Sequence, residues 1–171
     1  MFGRNVKCDS CDKTETIQTT LIYHYVLSEH VTLPMSAKPT WCFDCDAICD
    51  SEQLLPLEVF SSLLQDLKTD GLDRQELEDR ARFLRIELDY EHEFELELTR
   101  RETAVQWRSE RDDPRCLNCG ETNHLPLQTS GQDIPHPGCN GHFRIERSFH
   151  GIQSFYWQVD ADGRRIESAS K

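Results

Sequence analysis

The chain has 171 residues, 31 acidic against 19 basic side chains, a net charge of −12, and 37% hydrophobic residues, enough for one ordinary domain or two small ones with a real core. No apolar run approaches the roughly 18 residues of a membrane span, and the start Met1-Phe2-Gly3-Arg4-Asn5-Val6-Lys7 lacks the apolar segment of a secretory leader, so the cytoplasm is the expected location. In that reducing compartment the 8 cysteines are expected to bind metal rather than form disulfides.

In chain order, residues 1–50 hold two Cys-x-x-Cys pairs, Cys8 with Cys11 and Cys42 with Cys45. Between them the β-branched, apolar stretch from Ile17 to Val31 predicts strand, and Pro34 and Pro39 then break the chain before Trp41. From Ser51 to about Asp70, Val59, Phe60, Leu63, Leu64 and Leu67 form one apolar stripe at helical spacing, with Pro56 tolerated in the first turn. Asp70-Gly71 ends that helix. Asp73 followed by Glu76 has the form of a capping box, and Leu77, Ala81, Leu84 and Leu88 continue a second helix.

The stretch 86–98 sets two rules against each other. Ile86, Leu88, Tyr90, His92, Phe94, Leu96 and Leu98 alternate with acidic residues, which is strand periodicity. The Glu and Leu content, with no Gly or Pro between Gly71 and Pro114, favours helix, and helix is the preferred reading. Beyond Pro114 come the pair Cys116 and Cys119, the knuckle His136-Pro137-Gly138-Cys139, and strand-like runs at 142–148 and 152–160. Asp162-Gly163 is a turn signal that would return Arg164 to Glu167 as a third strand.

Each Cys-x-x-Cys turn supplies two thiolates, and zinc takes four tetrahedral ligands. Cys116-Leu117-Asn118-Cys119-Gly120 resembles a zinc knuckle, and His136-Pro137-Gly138-Cys139-Asn140-Gly141 resembles the Cys-Pro-x-Cys-Gly knuckle of zinc-ribbon proteins. Here His stands for the first Cys, and Asn for the following Gly at a position that favours positive φ. The resemblance implies two structural Zn2+ ions. One would be held by Cys8, Cys11, Cys42 and Cys45, the other by Cys116, Cys119, His136 and Cys139. His142 is a rival fourth ligand at the second site. Cys49 is either an alternative ligand at the first or a small buried side chain.

The expected architecture is therefore α+β. A zinc ribbon at 1–50 and another with a β-hairpin at 114–171 flank an acidic helical segment at 51–113, with a helical hairpin as one form of it. Four protein ligands per zinc leave no open position, and catalytic motifs are missing. His92-Glu93 lacks the second His of a zincin, the deaminase pattern fails at Phe94 and Arg115, and there is no Gly-rich phosphate loop or Gly-x-Ser-x-Gly elbow.

A non-enzymatic binding module is expected. Residues 51–113 carry 18 acidic and 9 basic side chains, and Glu87, Asp89, Glu91, Glu93, Glu95 and Glu97 would present an acidic face to a basic protein, as a bacterial inhibitor, immunity protein or adaptor does. The alternative is an accessory factor of nucleic-acid machinery, docking through Arg144, Arg147, Arg164 and Arg165 with their neighbouring aromatics.

Overall fold

A computed structural model describes residues 2–18, 22–28, 31–69, 73, 75–76, 78–80, 91–110, 113–129, 133–150 and 156–166. Among the described residues, strands outnumber helices. In chain order they are β1 (Phe2–Cys8), β2 (Thr14–Gln18), β3 (Ile22–Ser28), β4 (Val31–Met35), β5 (Ala37–Cys42) and β6 (Ala47–Glu52), then helices α1 (Leu57–Thr69) and α2 (Glu91–Ser109). Strands β7 (His124–Pro126), β8 (Asp133–Pro135), β9 (His142–His150) and β10 (Tyr156–Val159) follow. They form three sheets, ordered β2-β1-β9-β8, β10-β3-β4 and β6-β5-β7.

This overturns the expected pair of ribbons flanking a helical middle. Strands from the first fifty residues take partners from beyond residue 120 in every sheet: β1 lies antiparallel to β9, β3 parallel to β10, and β5 antiparallel to β7. Composition and local periodicity identify strands but do not choose between a hairpin neighbour and a strand more than a hundred residues away. The runs at 142–150 and 156–159, expected to share a ribbon, consequently lie in different sheets. Arg164 and Arg165 make single bridges, to Cys119 and Val159, rather than a third strand. The turn before them is as expected, with Gly163 at φ 83°.

Helix α1 starts later than the sequence suggests. Ser51 and Glu52 finish β6, paired with Lys38 and Ala37, and the helix begins only after Pro56, because proline disfavours helical geometry in the residue before it. Asp73 and Glu76 do form a capping box: the Glu76 amide donates to Asp73 Oδ1 at 2.9 Å and the Asp73 amide to Glu76 Oε2 at 3.4 Å. In α2 propensity wins over alternation. Phe94, Leu98, Arg101, Ala104, Val105 and Arg108 are buried at helical spacing, while Leu96, which a strand would place beside Leu98, is 54% exposed. Residues 86–90, and with them Leu77, Ala81, Leu84 and Leu88 of the expected second helix, lie outside the described residues.

Three apolar clusters result. Phe60, Leu63 and Leu64 of α1 meet Phe94, Leu98 and Val105 of α2. Tyr23, Tyr25, Leu33 and Met35 of the second sheet meet Ala104 of α2, together with Leu117 and Val159. The third cluster, Val6, Cys8, Ile17, Trp41, Ile134 and Phe143, contains a predicted metal ligand.

Candidate metal centres

Four chain reversals carry the ligands. Cys8 ends β1 and Cys11 lies in the turn to β2. Cys42 ends β5 and Cys45 lies in the turn to β6. Cys116 and Cys119 precede β7, and His136 and Cys139 sit between β8 and β9. Asp12, Asp46 and Gly120, each immediately after the second cysteine of its pair, have φ of 59°, 48° and 83°. That left-handed step turns the chain back, and Gly and Asp are among the residues that accept it. Asn140 does not take the positive φ expected of it. Its knuckle instead depends on two crowded glycines. A Cβ on Gly138 would come within 2.8 Å of His136 Nε2, and one on Gly141 within 2.7 Å of Ser10 Cβ.

The ligand atoms gather into two groups, each within 4.8 Å, but the partition differs from the expected one: Cys8, Cys11, His136 and Cys139 form the first, and Cys42, Cys45, Cys116 and Cys119 the second. The pairing of Cys8 and Cys11 with Cys42 and Cys45 is thus corrected. β1 lies beside β9, and β5 beside β7, so each N-terminal knuckle faces a C-terminal one. The centres are nested, outer pair with outer and inner with inner.

In the first centre the Nδ1 of His136 lies 3.2 Å from Cys8 Sγ, 3.4 Å from Cys11 Sγ and 3.0 Å from Cys139 Sγ, and Cys139 Sγ is 3.5 Å from Cys8 Sγ and 3.7 Å from Cys11 Sγ. A zinc tetrahedron with bonds of about 2.3 Å to sulfur and 2.0 Å to nitrogen has edges of roughly 3.5–3.8 Å, so the cage has nearly that size. In the second, Cys42 Sγ and Cys119 Sγ are 3.6 Å apart, and Asn118 Nδ2 donates to Cys45 Sγ at 3.3 Å. Backbone amides support the sulfurs of the first, Ser10 to Cys8 at 3.5 Å and Gly141 to Cys139 at 3.4 Å.

Comparisons with protein families, with curated proteins and with solved structures gave no match. The donor set itself decides the chemistry. One cage offers three thiolates and an imidazole, the other four thiolates, and both are of tetrahedral size; they fit two structural zinc ions, with every position taken by protein.

The thiol acidities express the same crowding. Burial pushes Cys8 up, but hydrogen bonds from the Ser10 amide, His136, the Cys11 amide and Cys139 outweigh it and hold the thiol at about 6. For Cys139 the Gly141 amide pulls downward, yet burial and the Cys8 and Cys11 sulfurs push it to about 11. Burial drives Cys45 up to about 12 and Cys119 to about 11. Adjacent thiolates repel, and a dication among them removes that repulsion.

His142 is exposed and outside the cage; its backbone amide donates to Asp9 Oδ1 at 2.9 Å while the Asp9 amide donates back to the His142 carbonyl at 3.0 Å, clasping the two knuckles of the first centre. Cys49 is half-buried and belongs to neither group. Sequence reasoning missed the residues that join the centres. Trp41, wholly buried and adjacent to ligand Cys42, packs on His136, and Lys13 bonds the Asp46 carboxylate at 2.6 Å and the Asp46 carbonyl. An aspartate after each of two cysteine pairs was the available signal.

The expected acidic face is only partly described. Glu87 and Asp89 lie outside the described residues, and Glu91 and Glu93 belong to α2. Glu95 and Glu97 are half-buried, and Glu97 accepts a hydrogen bond from Arg101 Nε at 3.0 Å. Among the described residues no helix is long and apolar enough to cross a membrane.

Proposed function

We propose that the chain is a non-catalytic, zinc-stabilised module that binds a basic protein, acting as an inhibitor, immunity protein or adaptor in the bacterial cytoplasm. The observation that carries the non-catalytic reading is the four-ligand composition of both metal groups, which leaves no coordination site for water or substrate. The basic partner is supported by the net charge of −12, concentrated between residues 51 and 113. A nucleic-acid role has less support. Arg144 is paired with Asp9 and Asp133, Arg165 lies over Trp157, and Phe143 is buried against Trp41 and His136, so these groups are engaged within the fold.

The test is affinity capture with the zinc-loaded protein, followed by binding of the captured protein to wild type and to the double charge reversal Glu91→Lys with Glu95→Lys. A basic partner whose affinity falls at least roughly tenfold with the reversal and weakens with salt supports the reading. Binding untouched by the reversal, or nucleic-acid binding with a steep salt slope that disappears in Arg144→Ala with Arg147→Ala, would overturn it.

A further inference from the structure

The three sheets meet at an open cleft of about 340 Å3, lined by Ile17 of β2, Tyr23 of β3, Asp50 of β6 and Trp157 of β10, with Asn118 and Arg165 beside them. Tyr23 and Trp157 are directly paired in the parallel strands β3 and β10, so their rings leave the sheet on one face. Tyr23 is buried, and its hydroxyl donates to Asp50 Oδ2 at 2.9 Å. Burial and the Asp50 carboxylate push that hydroxyl far above its ordinary value, so it stays a donor and holds the carboxylate in place. The guanidinium of Arg165 lies over the indole of Trp157, 3.2 Å from the ring centre. Among the described residues of the lining, Arg165 is the one basic side chain and Asp50 the one acidic.

Aromatic ring faces are electron-rich, and beside a fixed carboxylate they favour a cation over an anion. A planar guanidinium suits both groups at once, because it stacks on a ring and donates paired hydrogen bonds to a carboxylate. Arg165 displays the stacking half of this within the chain itself. Its side chain is exposed, and a cation–π contact at an exposed site is weak, so leaving the indole costs little. The backbone there is held independently: Arg165 N donates to the Asn118 carbonyl at 3.3 Å and Ile166 N to the Gln158 carbonyl at 2.8 Å. The side chain can therefore swing out while its segment stays in place. We propose that the cleft binds one guanidinium group, supplied by an arginine side chain of the basic partner, and that Arg165 occupies the Trp157 face until that arginine replaces it. The incoming guanidinium stacks on Trp157 and donates to Asp50. The source of the occupant rests on the proposed basic partner; the preference of the cleft for guanidinium does not.

The experiment titrates N-acetyl-arginine amide into the zinc-loaded full chain, up to about 50 mM, and follows the Trp157 indole and Tyr23 ring signals by NMR. N-acetyl-citrulline amide, an uncharged probe of nearly the same shape, is the control. The expected result is saturable shifts at both residues with the arginine probe and none with the citrulline probe. The dissociation constant should rise at least about fivefold in Trp157→Ala and in Asp50→Asn, which keeps an acceptor for Tyr23, and fall at least about fivefold in Arg165→Ala. Each variant is first shown to carry both zinc ions. No saturable shift, an equal response to the citrulline probe, or an affinity that Arg165→Ala leaves unchanged or weakens would overturn the proposal. Tighter binding of free arginine than of the blocked probe would make the occupant a small molecule and overturn the partner's side chain as its source. Binding of the captured basic protein should weaken at least about fivefold in Asp50→Asn, and no weakening would likewise overturn that source. Failure to capture a basic protein overturns the proposed function, while the probe titration still decides the cleft.

Discussion

The indole of Trp41 meets the imidazole of His136 with ring centroids 4.5 Å apart and planes inclined at 64°. One side of Trp41 thus packs on a ligand of the first centre, while the next residue in its own strand, Cys42, is a ligand of the second. The Lys13 ammonium lies 5.1 Å from the ring centre and also holds Asp46, in the turn of the second centre. The buried Nε2 of His136 has no hydrogen-bond partner among the described residues, so aromatic packing against Trp41 and Phe143, rather than a carboxylate, fixes the imidazole. Trp41→Ala should therefore cost about 3–5 kcal/mol in denaturant unfolding and weaken zinc retention at both centres. Weakening at only one centre would show that the indole does not couple them.

The nested arrangement makes a prediction that separates it from two successive ribbons. A double variant Cys8→Ser with Cys139→Ser damages one cage twice and should retain one zinc. Cys8→Ser with Cys42→Ser damages each cage once and should retain none tightly. Successive ribbons demand the opposite outcome from the same pair of metal analyses.

The contrast between these arrangements marks where the sequence stops being informative. Ligand types and turns are local: Cys-x-x-Cys, His136-Pro137-Gly138-Cys139 and the aspartates after Cys11 and Cys45 can all be recognised within a few residues. Which knuckle faces which is decided by β1 beside β9 and β5 beside β7, and nothing in either strand names its partner. The helix at 91–109 was legible from propensity although its alternating pattern imitates a strand; the buried Arg101 and Arg108, which complete its inner stripe, look in sequence like surface residues.

Arg108 shows why such a residue is buried. Its Nε donates to both oxygens of the equally buried Glu52, at 2.8 and 2.7 Å, and its Nη2 to the Asp113 carbonyl at 2.7 Å, while Glu52 also accepts from the Arg115 amide at 2.8 Å. The pair ties the end of α2 to the strand leading from the second centre. Arg108→Ala or Glu52→Ala leaves the other charge buried and should cost about 3–5 kcal/mol. Replacing both by apolar residues of similar size should cost less than the sum of the single losses, as a double-mutant cycle on unfolding free energies would register.

Stability should depend on pH more steeply than in a protein stabilised by carboxylates alone. Bound zinc holds its ligands deprotonated, which depresses their folded-state pKa below the ordinary thiol value of about 8.5. A depressed folded pKa contributes stability that is present above the unfolded value and lost as pH falls, because the unfolded chain then binds more protons. Seven thiols and one imidazole take part. The thiols of Cys45, Cys119 and Cys139, pushed up to about 12, 11 and 11 by burial and neighbouring sulfurs, depend most on the metal for their ionisation. Unfolding free energy at fixed free zinc should fall continuously from about pH 8 downward, with zinc release coinciding with loss of structure. A plateau from about pH 8 to 5, followed by a carboxylate-like transition near pH 4, would mean that the metal cages do not hold the fold together.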